Sequence, residues 1–218
     1  MKNIIALVVP HGDDECLGFG GVIQTHVDKG DEVHVVFCRA PIDSRTHQQF
    51  LDIEKSKQIL GYHHSHYLFV TESEISNQPL ILFRKIELKL KEISPTIVYT
   101  TFWGDIHQDH KITYDCVCRV VRVWGELNVH SFFVGEIPSS TDQYPTITGV
   151  SFTPNYYIPI TKQQLDNKIK SLEAYSTEMK HHPHPRSSKG ILTKALLRGQ
   201  ECGHEYAESF ISLRQIIT

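Results

Sequence analysis

No two cysteines are spaced as CxxC in this chain of 218 residues. The cysteines are odd in number and scattered, at Cys16, Cys38, Cys116, Cys118 and Cys202. That argues against a zinc ribbon and against a disulfide framework, and it reads as a protein of a reducing compartment, the cytoplasm. There is no basic excess either. The net charge is −3 with histidines neutral, so nothing marks a nucleic-acid partner. Long hydrophobic runs are missing as well. The apolar stretch Ile4–Val9 is too short for a signal core or a membrane span and reads as a buried first strand. We find no internal repeat and no low-complexity tract. Hydrophobic residues at 40% and charged residues at 22% are ordinary globular usage, and the length fits one domain over residues 1–218. One residue type is in excess: histidine, with 14 copies. Histidine is the commonest metal ligand and the side chain that titrates near neutrality.

Short apolar runs alternate with helical patterns. Strands are expected at residues 4–9, 33–38, 67–70, 97–100 and 129–134. Helices are expected at 15–29, 46–60, 79–93 and 109–124. In the third helix Leu80, Phe83, Ile86, Leu90 and Ile93 fall on one face. In the fourth, Ile112, Cys116, Val120, Val121 and Trp124 do. This alternation predicts an α/β fold, a Rossmann-like three-layer sandwich with a mostly parallel sheet, over residues 1–135. Residues 136–218 form a C-terminal extension of helices and a short strand, expected to cover the active edge. Its long loop spans 138–154, its added strand 156–160, and its helices 162–176, 190–200 and 206–213. Prolines hold 181–186 as a rigid loop.

Two polar clusters follow strands directly. The first strand runs into His11-Gly12-Asp13-Asp14-Glu15, and the fourth runs toward Trp103-Gly104-Asp105-Ile106-His107-Gln108-Asp109-His110. In a doubly wound sheet these strands are neighbours at the switch point where ligands bind. The clusters should therefore meet in one crevice, with histidines and carboxylates enough for a hydrolytic metal site. His107 and His110 share one helix face. Asp13 and Asp14 are adjacent, so one can ligate while the other handles a proton, and spacing does not say which. Acidic residues at a helix start also serve simply to stabilise its positive end.

These residues carry a resemblance. His11-Gly12-Asp13-Asp14-Glu15 with Gly20-Gly21, and His107-Gln108-Asp109-His110, resemble the paired signatures of the PIG-L/LmbE-like zinc-dependent deacetylases. Segments 136–141, 154–155, 183–187 and 207–210 resemble later landmarks of a bacterial branch. The resemblance implies removal of an acetyl group from an N-acetylated amino sugar. It implies that His11, Asp14 and His110 hold Zn2+ (or Fe2+) and that Asp13 is the general base. It further implies that His107 stabilises the oxyanion and that Asp109 holds His107. The expected partner is a small N-acetylated sugar, with no membrane span and with homo-oligomerisation left open. Two departures are visible: Gly12 stands where the family usually has Pro, and Pro10 where it usually has Ala. Many members carry an arginine early in the second helix, and Arg45 is the nearest candidate. Alternative readings are cleavage of another amide in a sugar or thiol conjugate, and a non-catalytic zinc- and sugar-binding relative.

Other features are less specific. Gly18-Phe19-Gly20-Gly21 lacks the third glycine of a dinucleotide loop, and no acidic residue ends the second strand; close helix packing explains these glycines better. His63-His64-Ser65-His66 reads as a solvated loop on the side away from the crevice. In His181-His182-Pro183-His184-Pro185-Arg186, His184 and Arg186 are candidate substrate contacts. Trp103 reads either as a wall of the sugar pocket or as core. Cys116 reads as core, and nothing explains Cys118. Glu208 is either a salt-bridge partner or a site residue.

Overall fold

The computed structural model describes residues 2–39, 46–145, 147 and 149–217. Their elements run β1 (Ile4–Val9), α1 (Asp14–Asp28), β2 (Glu32–Phe37), α2 (Thr46–Leu60), β3 (His64–Tyr67), α3 (Glu72–Asn77), α4 (Pro79–Ile93), β4 (Ile97–Thr101), α5 (Gln108–Val120), β5 (Ser131–Gly135), β6 (Tyr156–Pro159), α6 (Lys162–Ala174), α7 (Ser188–Cys202) and β7 (Ala207–Gln215). The strands form one sheet in the order β3-β2-β1-β4-β5-β7-β6. β1 to β5 are mutually parallel, while β7 runs antiparallel between β5 and β6. The expected mostly parallel α/β sandwich is the fold observed.

The central strands are apolar on both faces because helices cover both. Ile5, Leu7, Val9, Val33, Val35 and Phe37 pack under α1, α2, α6 and α7. Ala6, Val8, Val36 and Val98 pack under α3, α4 and α5. In α4 the buried residues are Leu82, Ile86, Leu90 and Ile93, spaced for one helical face. Each such side chain contributes about 1.5–3 kcal/mol by leaving water. Leu80, expected on that face, is exposed instead, because it stands two residues before Leu82 and so on the opposite side of the helix.

Several sequence expectations are corrected. The third strand lies at His64–Tyr67, not at 67–70, because Phe69 takes a left-handed backbone (φ 51°) that breaks the extended run. So His64 and His66 belong to a strand rather than to a solvated loop. The short helix α3 was not expected. It is set by a capping box in which Thr71 and Glu74 satisfy each other's main-chain N–H. α5 ends at Val120, and Trp124 is almost fully exposed rather than core. Of residues 206–213, expected as helix, 207–213 lie in β7; that strand finds partners on both sides, and this overrides local helix preference. The extension thus carries two strands, not one.

Candidate functional site

The sheet order reverses at β1, whose parallel neighbours are β2 and β4. The turns after β1 and β4 therefore open the crevice at their carboxyl ends. From β1 the chain passes Pro10-His11-Gly12 to Asp13, the residue before α1. Asp13 holds a positive φ of 115°, a conformation that costs a non-glycine residue on the order of 1–3 kcal/mol. It is held there from several sides. Its N–H donates to Glu15 Oε2 at 2.9 Å, and its carbonyl accepts from Leu17 N at 2.9 Å. Glu15 is fully buried and accepts from Ser56 Oγ and Tyr175 Oη, both at 2.6 Å. Gly12 is hemmed in: a Cβ there would lie 2.9 Å from Ile53 Cδ1. A proline at this position would require Ile53 to move.

His11 sits between two carboxylates. Its Nδ1 is 3.2 Å from Asp14 Oδ2 and its Nε2 is 3.0 Å from Asp109 Oδ2. His110 is placed the same way, with Nε2 3.3 Å from Asp14 Oδ1 and Nδ1 3.0 Å from Asp105 Oδ2. The last contact is close enough for an ion pair but is not aligned as a hydrogen bond. A neutral imidazole has one N–H, so it cannot satisfy acceptors at both ring nitrogens. Burial would lower the pKa of His11, but Asp109 and Asp14 outweigh it and push the value up to about 9. Burial opposes Asp14 and Asp105 at His110 in the same way, and its pKa rises to about 10. Asp14 titrates well below the usual carboxylate range: burial alone would raise it, and His110 and His11 outweigh that. The centre thus takes up positive charge wherever it can get it.

This donor set fits a divalent cation. Buried Asp14 Oδ1 accepts no hydrogen bond among the described residues. One ligand atom each from His11, Asp14 and His110 lies within 4.8 Å of the others, and the same is true of His11, His107 and Asp109. The first set is the better enclosed, since Asp14 and His110 are buried whereas His107 is exposed. Two imidazoles and a carboxylate make a ligand group suited to zinc or ferrous iron.

The remaining site residues are arranged around this centre. Asp13 Oδ2 accepts from Arg186 Nη1 at 2.8 Å, and the same nitrogen reaches Glu178 Oε2 at 3.0 Å. Arg186 Nε donates to Ser139 Oγ at 2.8 Å, and His184 Nδ1 accepts from the Arg186 main chain at 3.1 Å. Burial and the neighbouring Asp14 raise the Asp13 pKa well above the usual carboxylate value, against the pull of Arg186. His107 caps α5, and its Nδ1 accepts from Asp109 N at 3.3 Å. The proton of a neutral His107 therefore lies on Nε2. The Asp109 main chain, not its carboxylate, meets His107; the carboxylate meets His11. Trp103 is half-buried, its ring tilted against those of Phe102 and Tyr114 at the edge of the core.

Sequence reasoning passed over Asp105, although it stands inside the second cluster. It is fully buried and accepts from His107 N at 2.7 Å, from Thr141 Oγ1 at 2.8 Å and from Ser140 Oγ. Its hydrogen-bond partners beyond the cluster lie in the loop after β5, so spacing within the cluster could not single it out. Arg39 was also missed: its Nη1 is 3.8 Å from Asp109 Oδ2 and its Nη2 donates to Glu72 at 2.8 Å. It follows β2 directly, and that position was the available signal. Arg45, the expected arginine, lies outside the described residues. Glu208 lies away from the centre, accepting the main-chain N–H of Gly21 and Val22 and an ion pair from Lys168.

A family profile described as PIG-L: GlcNAc-PI de-N-acetylase matches residues 6–121, which include both clusters. No curated protein matches by sequence. Among solved structures, a conserved protein from Thermus thermophilus superposes with a TM-score of 0.80 at 18% identity, covering 99% of this chain and 97% of that one. The N,N'-diacetylchitobiose deacetylase from Pyrococcus horikoshii gives 0.75 at 18% identity, covering 96% and 83%. A 4-carboxy-2-hydroxymuconate hydratase from Pseudomonas putida also gives 0.75, at 17% identity, covering 100% and 98%. At such identities these likenesses establish the fold.

Proposed function

We propose, since this chain belongs to the PIG-L (GlcNAc-PI de-N-acetylase) family, that it is a zinc-dependent hydrolase removing the N-acetyl group from an amino-sugar moiety. The observation that carries this reading is the meeting of His11-Gly12-Asp13-Asp14 with His107–His110 across β1 and β4 around an oxygen of Asp14 left without a hydrogen bond. His11, Asp14 and His110 would hold the cation. Zinc there would supply Lewis acidity toward the acetyl carbonyl and toward water; ferrous iron accepts the same ligands.

The residues of the chain supply the rest. Asp13, with its raised pKa, takes the proton of the attacking water and can pass it to the departing amine. Arg186 holds the carboxylate of Asp13 at 2.8 Å and, with its charge shared with Glu178, fixes its direction. Partial desolvation at the centre and the neighbouring His11 and His110 lower the His107 pKa below its ordinary value, and its neutral ring offers Nε2–H to the oxygen that gains charge. Asp105 sets its negative charge behind the ring of His110, with Oδ2 3.0 Å from Nδ1.

The test is acetate release from a panel of N-acetylated sugars and conjugates by metal-loaded protein. Because a hydratase shares the fold, an enol-acid hydration assay belongs beside the panel. Asp13→Asn should keep its metal and lose about 10²–10⁴-fold in turnover, the usual share of a general base. His110→Ala should lose the metal itself, read by elemental analysis. An Asp13→Asn protein as active as wild type would refute the assignment of the base. Absence of acetate from every substrate, with hydration observed, would refute the deacetylase reading.

A further inference from the structure

A second cluster of ligating side chains lies at the opposite end of the sheet. Glu32 and His34 of β2 alternate onto the same face as His64 and His66 of β3, in the register His34↔His64. Glu32 Oε1 lies 3.2 Å from His34 Nε2 and 3.4 Å from His64 Nε2. The His34 and His64 rings stack with centroids 4.5 Å apart. Behind them, His34 Nδ1 is 3.0 Å from His66 Nε2. One ligand atom each from Glu32, His34 and His64 lies within 4.8 Å of the others. The Lys2 ammonium, 3.7 Å from the other oxygen of Glu32, is the nearest competing charge.

We propose that Glu32, His34 and His64 form a second divalent-metal site, of the zinc class, that clamps the edge strand β3 to β2. Two imidazoles and one carboxylate oxygen are the ligands zinc prefers outside thiolate sites. His66 is the positioning residue. Accepting Nδ1–H from His34 leaves Nε2 of His34 as a lone pair, and that atom faces Glu32 and His64. Without a cation this arrangement sets lone pair against lone pair, and the His34 proton must then move to Nε2. Half of the His64 side chain is exposed, so water completes the coordination and the metal can enter from solvent. The structural reason for such a site is plain: β3 has four residues and, among the described residues, one partner strand. A metal bridging two strands adds its binding free energy to that weak edge.

The site is separate from the crevice, so its test does not depend on the proposed activity. Metal-free protein is dialysed against micromolar Zn2+ and the bound equivalents are measured. Wild type should bind one equivalent more than His34→Ala/His64→Ala, whereas Asp14→Ala/His110→Ala should retain the edge equivalent. Glu32→Gln, which keeps the shape of the strand, should weaken that equivalent at least about tenfold by loss of a charged ligand. Zinc should also raise the thermal midpoint of Asp14→Ala/His110→Ala but not of that variant carrying Glu32→Gln as well. Equal zinc content in wild type and His34→Ala/His64→Ala, or in wild type and Glu32→Gln if the double variant does not fold, overturns the proposal.

Discussion

Glu208 illustrates how one side chain can hold several elements. It sits on β7, accepts the N–H groups of Gly21 at 2.8 Å and Val22 at 2.7 Å, and pairs with Lys168 of α6. Gly21 is required at this contact, because a Cβ there would fall 2.9 Å from Glu208 Cδ and 2.8 Å from Ile160 Cγ2. Both charged side chains are largely buried, at 5% and 9% exposure. Glu208→Ala would leave an ammonium without its partner, and breaking a buried pair in this way costs about 3–5 kcal/mol. We therefore expect a large drop in the denaturant midpoint, with slight change in the zinc content of the folded protein. An unchanged midpoint would contradict this account. The sequence left Glu208 undecided because its partners are remote: α1 is nearly the length of the chain away. The clusters that hold His11, Asp14 and His110 were easier to see, since each follows an apolar strand, but the choice of Asp14 over Asp13 as a ligand came from the family resemblance alone.

Elements were legible where their pattern was local. β1, β2, β4 and the helices α1, α2 and α4 were visible as apolar runs and helical periodicities. β7 was not, because Ala207 to Phe210 are buried on both faces and show no alternation. The turn from α1 into β2 carries a pH prediction. His26 Nδ1 is 2.7 Å from Asp31 Oδ2, His26 Nε2 is 3.0 Å from Tyr99 Oη, and Asp31 Oδ1 accepts from Asn3 N at 2.9 Å. Burial lowers the His26 pKa below its ordinary 6.5, more than Asp31 restores it. Burial would raise Asp31, but His26 and Asn3 bring it below its ordinary 3.8. In both cases the unfolded chain binds the proton first, so stability rises with pH across each window. The contribution of His26 is complete above pH 6.5 and fades as pH falls below it; that of Asp31 is complete above 3.8 and fades below it. Denaturant titrations across this range should show a two-stage acid loss. His26→Phe should shrink the upper stage, which His34, His66 and His107 share because burial lowers them too, and a wild-type profile flat from neutrality to about pH 5 would contradict the assignment.

For the whole molecule, the parallel half follows from the alternation of strands and helices, whereas closure of the sheet depends on pairings distant in sequence. Among the described residues β6 pairs with β7 alone, and β5 has β7 on its outer side. A chain ending at residue 206 should therefore lack a cooperative thermal transition and bind hydrophobic dyes; a sharp native-like transition would show that β7 is dispensable. Translation gives this arrangement a direction in time. β6 is made before β7, its partner among the described strands, and Gly21 and Val22 wait still longer for the carboxylate that will take their N–H groups. The nascent protein thus carries an open sheet edge through most of its synthesis. An unpaired edge of this kind is the surface that invites aggregation during folding, and β7, between β5 and β6, is the strand that covers it.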